Sequence, residues 1–222
     1  MYLPSLAFTF RAAGLTAILS LAAVSEAPCQ FQFGFTAGVN QPTGDRMIRE
    51  FGGVNGLPVS YPVLERWRVG SFAFVGRVAR WTPSRIGIEA TLGASPGFMN
   101  TRDSTNRVRE TGSNTLMASL RMPVRITQRT SSILAHLSVG LGYIRYTGQS
   151  WTGYEGLGHP AGIVAFGGRG RLGRRSRFWF RFEFEDWMSR ASFRQAGVAY
   201  DPQFYHQMIY GMGVIYQLGS RR

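Results

Sequence analysis

Few residues in this sequence have types and spacings that suggest catalysis. His136 and Ser138 are separated by one residue, as a general base and its nucleophile can be on one face of a strand. Short motifs of this kind often occur by chance, and the strand predicted around them turns both side chains toward a protein interior. We therefore predict no catalytic residues.

Metal and cofactor sites have equally little support. His159 and His206 are far apart in sequence and have no cysteine or acidic residue at ligand spacing, so we predict no metal site. The segment 168–173 reads GRGRLG and fits the dinucleotide pattern G-x-G-x-x-G. A phenylalanine-alternating strand follows it where that motif requires a helix, so we predict no cofactor.

The N-terminal segment has the features of an export signal. Arg11 precedes the apolar run 12–24, and the small-x-small sequence Ser25-Glu26-Ala27 follows. The run is shorter than the roughly 20 residues that a membrane-spanning helix needs. We predict a signal peptide over 1–27, cleaved after Ala27, and a single domain over 28–222.

Period-two alternation of apolar and polar residues dominates the rest of the chain and predicts strands. Eight such runs lie near 31–40, 67–81, 85–94, 115–127, 133–146, 161–171, 178–185 and 205–218. In the clearest run, Phe178, Phe180, Phe182 and Phe184 alternate with Trp179, Arg181, Glu183 and Glu185.

The connections between these runs alternate in length. Long connections are expected near 41–66, 95–114, 147–160 and 188–204, and short ones near 82–84, 128–132 and 172–176. Outer-membrane barrels have long external loops and short periplasmic turns. We therefore predict an all-β fold, an eight-stranded antiparallel up-and-down transmembrane β-barrel in the outer membrane with both termini in the periplasm.

The apolar faces of the strands are almost free of charge, which favours contact with lipid. A soluble periplasmic carrier of lipocalin type would instead turn the four phenylalanines of 178–184 inward around an apolar ligand. Aromatic residues near the strand ends are expected to form interfacial girdles. These are Phe31, Trp67, Trp81, Tyr143, Tyr146, Trp187 and Tyr216.

The opposite faces carry charges that predict a filled lumen. If Thr82-Pro83-Ser84 is the first turn, Arg77 and Glu89 lie directly opposite each other and are close enough to pair. Arg121, Arg181, Glu183 and Glu185 then extend a charge network across an interior that side chains can fill. Such a network predicts a plugged barrel, not a pore.

The formal net charge of +13 comes from 25 basic residues, all of them arginine, and 12 acidic ones. Nucleic-acid binding is not expected, because an exported protein does not meet nucleic acid. The predicted periplasmic turns hold several arginines and no Asp or Glu. Two interpretations stay open: contact with anionic lipid heads or an acidic partner, and ordinary solvated turns.

Over roughly 31–218 the chain resembles the small outer-membrane β-barrel family, which includes OmpA-type membrane domains and opacity-like proteins. The segments that carry the resemblance are LRMPVR (120–125), SVGLGY (138–143) and YGMGVIYQL (210–218). The resemblance implies contact with outer-membrane lipids, lipopolysaccharide and the barrel-insertion machinery. In such barrels the last strand usually ends on an aromatic residue, whereas Leu218 ends it here.

The function expected from these features is a structural or surface-interaction role without enzymatic activity, exerted through long external loops. Two alternatives stay open: a barrel enzyme that modifies outer-membrane lipid, and the soluble carrier of an apolar ligand.

Overall fold

The computed structural model describes residues 30–43, 48–54, 57–83, 85–103, 105–128, 133–173, 176–195, 198–199 and 202–218. The predicted signal peptide over 1–27 lies outside these residues. No helix in the described part of the chain is long and apolar enough to cross a membrane.

The described residues form fifteen strands and one short 3-10 helix, Gln149–Trp151. The strands are β1 (Gln30–Thr43), β2 (Ile48–Val54), β3 (Leu57–Arg68), β4 (Ser71–Trp81), β5 (Gly87–Ser95), β6 (Phe98–Asp103), β7 (Val108–Gly112), β8 (Asn114–Arg125), β9 (Ile133–Thr147), β10 (Tyr154–Glu155), β11 (Gly158–Arg171), β12 (Phe178–Ala191), β13 (Arg194–Gln195), β14 (Val198–Ala199) and β15 (Gln203–Leu218).

Eight of these strands close an antiparallel barrel in the order β1-β15-β12-β11-β9-β8-β5-β4. Each barrel strand pairs with the barrel strand before and after it in the chain, and β1 closes the ring by pairing with β15. The predicted fold class and all eight predicted strands are confirmed. A closed ring also leaves no unpaired strand edge in the barrel, as a span through lipid requires.

The two ends of the barrel differ. The ends of β4, β8 and β11 that lead into short connections lie with the start of β1 and the end of β15, and we call this the turn end. At the opposite loop end, β2, β3, β6 and β7 form a four-stranded sheet and β10, β13 and β14 a three-stranded one. The four long connections therefore contain strands of their own, which provide hydrogen bonds to their backbone N–H and C=O groups. These connections were predicted over 41–66, 95–114, 147–160 and 188–204.

The run predicted near 67–81 is divided between two strands, because β3 ends at Arg68 and β4 begins at Ser71.

The predicted register of the first turn was wrong. Arg77 pairs with Thr91, and Glu89 pairs with Ala79, so the register differs by two residues. The cause lies in Thr82, whose backbone N–H and hydroxyl both donate to the carbonyl oxygen of Ile86, at 3.1 and 2.7 Å. Thr82 thereby continues the ladder, and the turn begins at Pro83, which has no N–H to pair.

The outer wall of the barrel is apolar. Outward positions at mid-height are highly exposed, for example Leu141 at 75% and Leu92 at 71%. The four phenylalanines of β12 lie on this outer side, as predicted for contact with lipid. Such a band is what a lipid-embedded barrel presents, whereas a water-soluble barrel buries its apolar face.

The prediction of aromatic girdles was only partly correct. Phe31, Tyr143 and Tyr216 lie on the outer side, but Trp81, Tyr146 and Trp187 are buried in the interior. Their sequence positions place these three on the lumen-facing alternation of β4, β9 and β12. The side chain of Trp67 lies outside the described residues.

Candidate functional site: a charged layer in the lumen

Interior side chains form three layers between the two ends of the barrel. The floor layer at the turn end holds Gln32, Trp81, Arg125, Arg169 and Trp179. The charged layer above it holds Arg77, Glu89, Arg121, Arg181, Glu183 and Glu185. The aromatic layer toward the loop end includes Tyr146, Trp151, Tyr154, Trp187, Phe193 and Tyr205. All of these side chains are buried.

Arg181 makes two short ion pairs in the charged layer. Its Nη1 lies 2.6 Å from Glu89 Oε2, and its Nη2 lies 2.7 Å from Glu183 Oε1. Four strand positions separate β12 from β5 in the ring of eight, so the two strands lie on opposite walls and the Arg181–Glu89 pair crosses the lumen.

Arg77 and Arg121 complete the layer from β4 and β8. Arg77 pairs with Glu89 at 3.2 Å and with Glu185 at 3.1 Å, and it also contacts Glu183. Arg121 lies 3.2 Å from both Glu89 and Glu185 and 3.7 Å from Glu183. The structure thus brings all six predicted residues together, and Arg77 reaches Glu89 from a diagonal position in the sheet.

The three arginines and three glutamates balance in formal charge. Further donors occupy the carboxylates: Trp187 Nε1 donates to Glu185 Oε2 at 2.9 Å, and His136 Nε2 lies 3.4 Å from Glu183 Oε1. A buried charge is tolerated when it is paired and hydrogen-bonded. Each of the three arginines and three glutamates has at least one ion-pair partner within the layer.

Glycine makes space for the long arginine side chains. A Cβ atom on Gly140 of β9 would lie 2.7 Å from Cγ of Arg121 and 2.4 Å from the carbonyl oxygen of Leu120. On Gly34 of β1 it would lie 3.0 Å from Cγ of Arg77. The glycine-rich inner faces of β1 and β9 therefore allow the cations to lie flat against the wall.

The floor layer pairs cations with rings. The guanidinium carbon of Arg169 lies 4.6 Å from the ring centroid of Trp81 and 5.5 Å from that of Trp179. Arg125 lies over Trp81 at 5.1 Å, and Arg171 over Trp179 at 4.9 Å. The result is an alternating stack of Arg125, Trp81, Arg169, Trp179 and Arg171, held by cation–π attraction. The sequence analysis did not predict this stack, although Trp81 and Trp179 lie on the same alternating face of their strands as the lumen charges.

The aromatic layer packs rings together toward the loop end. Tyr146 stacks on Trp151 with ring centroids 5.0 Å apart, and Phe193 lies 4.9 Å from Trp151. Arg68 of β3 lies above the barrel, where its Nη2 donates to the carbonyl oxygen of Ser95 at 2.6 Å. Burial lowers the pKa of Arg68 to about 10, so it stays charged at neutral pH.

The residues considered for chemistry do not form a reactive site. His136 and Ser138 both face the interior, and His136 contacts Glu183 of the charged layer. His206 pairs with Asp186 at 3.0 Å, whereas His159 lies among the aromatic side chains. In the part of the chain that the structure describes, no three histidine, cysteine or acidic side chains form a group able to hold a metal.

Comparison with known proteins finds a likeness in structure alone. No family model matches the sequence, and no curated protein is similar to it. The crystal structure of the outer membrane protein OprG from Pseudomonas aeruginosa covers 87% of this chain and 97% of its own, with 10% identity and a TM-score of 0.61. The solid-state NMR structure of the outer membrane protein AlkL in DMPC bilayers covers 90% and 94%, with 15% identity and a TM-score of 0.56.

The chain has the fold of the small outer-membrane β-barrels. This barrel carries an apolar band outward and its charged layer inward, the arrangement that a lipid-embedded barrel has. The fold and the apolar wall together place the protein in an outer membrane. The predicted fold class and location are thereby confirmed, whereas the signal peptide and the periplasmic position of the termini stay predictions.

Proposed function

We propose that the protein is a non-enzymatic outer-membrane barrel with a sealed lumen, which presents its loop-end sheets for contacts at the cell surface. The observation that carries this proposal is the charged layer. Its ion pairs join β12 to β4, β5 and β8 across the lumen, so they occupy the path that an ion would take.

The neighbouring layers strengthen the seal. Below the charged layer the two tryptophans of the floor layer are buried, and above it the rings of Tyr146, Trp151 and Phe193 pack together. An eight-stranded barrel has an interior just wide enough for its own side chains. An ion would therefore have to displace three consecutive layers.

The loop-end sheets supply the surface for contacts. Phe98 of β6 is 53% exposed and Val108 of β7 is 50% exposed, and Arg109 and Glu110 beside them are also exposed. Binding residues commonly lie on segments that a rigid scaffold positions. We also propose lipopolysaccharide as a neighbour of the loop end and the barrel-insertion machinery as a partner in assembly.

Planar-bilayer recordings of the folded protein test the seal. We expect no steady conductance from protein whose insertion is verified by heat-modifiable migration on a gel. A steady open pore in the unaltered protein would overturn the proposal. Lipid A mass spectra from cells with and without the protein test the enzymatic alternative, and identical spectra are expected.

Protease treatment of intact cells tests the direction of the barrel. Trypsin should cut beside the exposed Arg107 and Arg109 from outside, because we place the loop end at the cell surface. Cleavage at these sites only after the outer membrane is broken would contradict the placement.

A further inference from the structure

We propose that the outer wall at the turn end binds the phosphate groups of anionic phospholipids. The site spans the adjacent strands β12, β15, β1 and β4, with Arg177 at one edge and Arg80 at the other. This inference goes beyond the sealed lumen and does not depend on it.

Each of these arginines is joined to an outward aromatic side chain. The guanidinium of Arg80 lies 5.7 Å from the ring centroid of Phe31, and Arg177 Nη1 donates to the hydroxyl of Tyr216 at 3.3 Å. Both side chains therefore stand on the lipid-facing wall, at the level where the strands end. Cations and aromatic rings at this level meet headgroups and the upper parts of acyl chains.

An apolar surface fills the wall between the two arginines. The register places Phe178 beside Tyr216, Tyr216 beside Phe33, and Phe33 beside Val78 in one row across the four strands. The rings of Phe178 and Tyr216 have centroids 5.2 Å apart. Three inter-strand spacings separate β12 from β4, roughly 14 Å along the wall. Acyl chains can lie on this row while a phosphate meets either arginine.

Among the described residues, the acidic ones lie away from this site. Exposed arginines at this end include Arg85, Arg171 and Arg177, and the sequence adds Arg129, Arg174 and Arg175 to the adjoining connections. Among the described acidic residues, Glu89, Glu183 and Glu185 are buried in the charged layer. The remaining ones belong to the loop-end half: Glu50, Glu65, Asp103, Glu110, Glu155 and Asp186.

Arg169 of the floor layer adds a further positive charge inside the lumen at the turn end. Arg169 is held by two tryptophan rings and Gln32, and no described carboxylate lies within ion-pair distance of it. Arg169 therefore lacks an ion pair with a described carboxylate, unlike the arginines of the layer above. A lipid is favoured over an acidic protein because Arg80 and Arg177 lie on the wall that faces the bilayer.

Native mass spectrometry of the detergent-folded protein tests the proposal. Phosphatidylglycerol and phosphatidylcholine with the same acyl chains serve as the two probes. We expect phosphatidylglycerol to be retained about tenfold more, as two cations near a membrane surface should favour an anionic headgroup. The double variant Arg80→Gln/Arg177→Gln should bring the ratio close to one.

The matched control is Arg145→Gln/Arg190→Gln, which removes two exposed arginines from the loop-end half of the wall. This variant should keep the preference for phosphatidylglycerol. Equal retention of the two lipids by the unaltered protein would overturn the proposal, and so would an equal loss of preference in both double variants. Binding of a polyglutamate peptide with no lipid preference would likewise overturn it, in favour of an acidic protein partner.

Bilayer conductance tests the sealed lumen separately and should stay at zero whatever the lipid preference is. Failure of the lipid site can therefore be told apart from failure of the sealed lumen.

Discussion

Arg181 of β12 reaches across the lumen to Glu89 of β5, with Nη1 and Oε2 2.6 Å apart, although 92 positions separate the two residues. Each partner also contacts further charges of opposite sign within the same layer. The pair therefore joins two walls of the barrel, and its loss should affect the whole fold and not one strand alone.

Removing the charge of Glu89 should destabilise the barrel strongly. Glu89→Gln leaves three arginines facing two carboxylates in a buried layer, and the unpaired charge should cost roughly 3–5 kcal/mol of unfolding free energy. Urea unfolding in lipid vesicles measures it. The control Glu110→Gln, on the exposed β7, should change the free energy by less than about 0.5 kcal/mol. Equal effects of the two changes would contradict the role of the layer.

A side chain at Gly140 should prevent folding. Gly140→Leu drives carbon atoms into the backbone of Leu120 and the side chain of Arg121, and the closed sheet has no room to move away. Heat-modifiable migration should show loss of the folded band. Gly162 of β11 has no atom within 4 Å of an added Cβ, so Gly162→Leu should keep that band.

A charge on the outer wall should reduce the unfolding free energy only when the barrel is embedded in lipid. Leu141→Arg places a guanidinium on the apolar band and should reduce the unfolding free energy in vesicles by about 2–4 kcal/mol. Leu172→Arg, at the exposed turn end, should cost little. If Leu141→Arg were harmless in vesicles, the outer wall would not face lipid.

The ring of Trp81 should contribute more than its N–H group. Trp81→Ala removes the ring between Arg125 and Arg169 and should cost about 3–5 kcal/mol. Trp81→Phe keeps a smaller aromatic ring and loses the hydrogen bond from Nε1 to Gln32 Oε1, 3.0 Å long, so it should cost less, about 1–2 kcal/mol. Equal costs for the two variants, measured by urea unfolding, would exclude the ring as the main contributor.

We propose that the exported form begins at Pro28. Intact-mass analysis of protein purified from outer membranes should show a chain that lacks residues 1–27. A retained N-terminal segment would contradict the cleavage prediction, and cleavage at another position would correct it.

The strands and their faces were predictable because a strand alternates its side chains strictly. Apolar residues at every second position, such as Phe178 and Phe180, predicted the strand, and the absence of charge on that face together with the alternating loop lengths assigned it to lipid. The types of Arg77 and Glu89 on the opposite face likewise predicted a charged interior. The residue that faces each residue on the neighbouring strand was harder to predict, because the register depends on where the turn begins. The hydrogen bonds from Thr82 to Ile86 shift the start of the turn to Pro83.

The sequence by itself determined the number of barrel strands, their apolar faces and six of the charges that lie inside, since all three follow from alternation along one strand at a time. Only the tertiary structure decided that β12 stands across from β5, that the interior divides into three layers, and that Trp81 lies between two arginines. These relations arise when the ring closes, because closure brings together side chains from strands that share no local sequence.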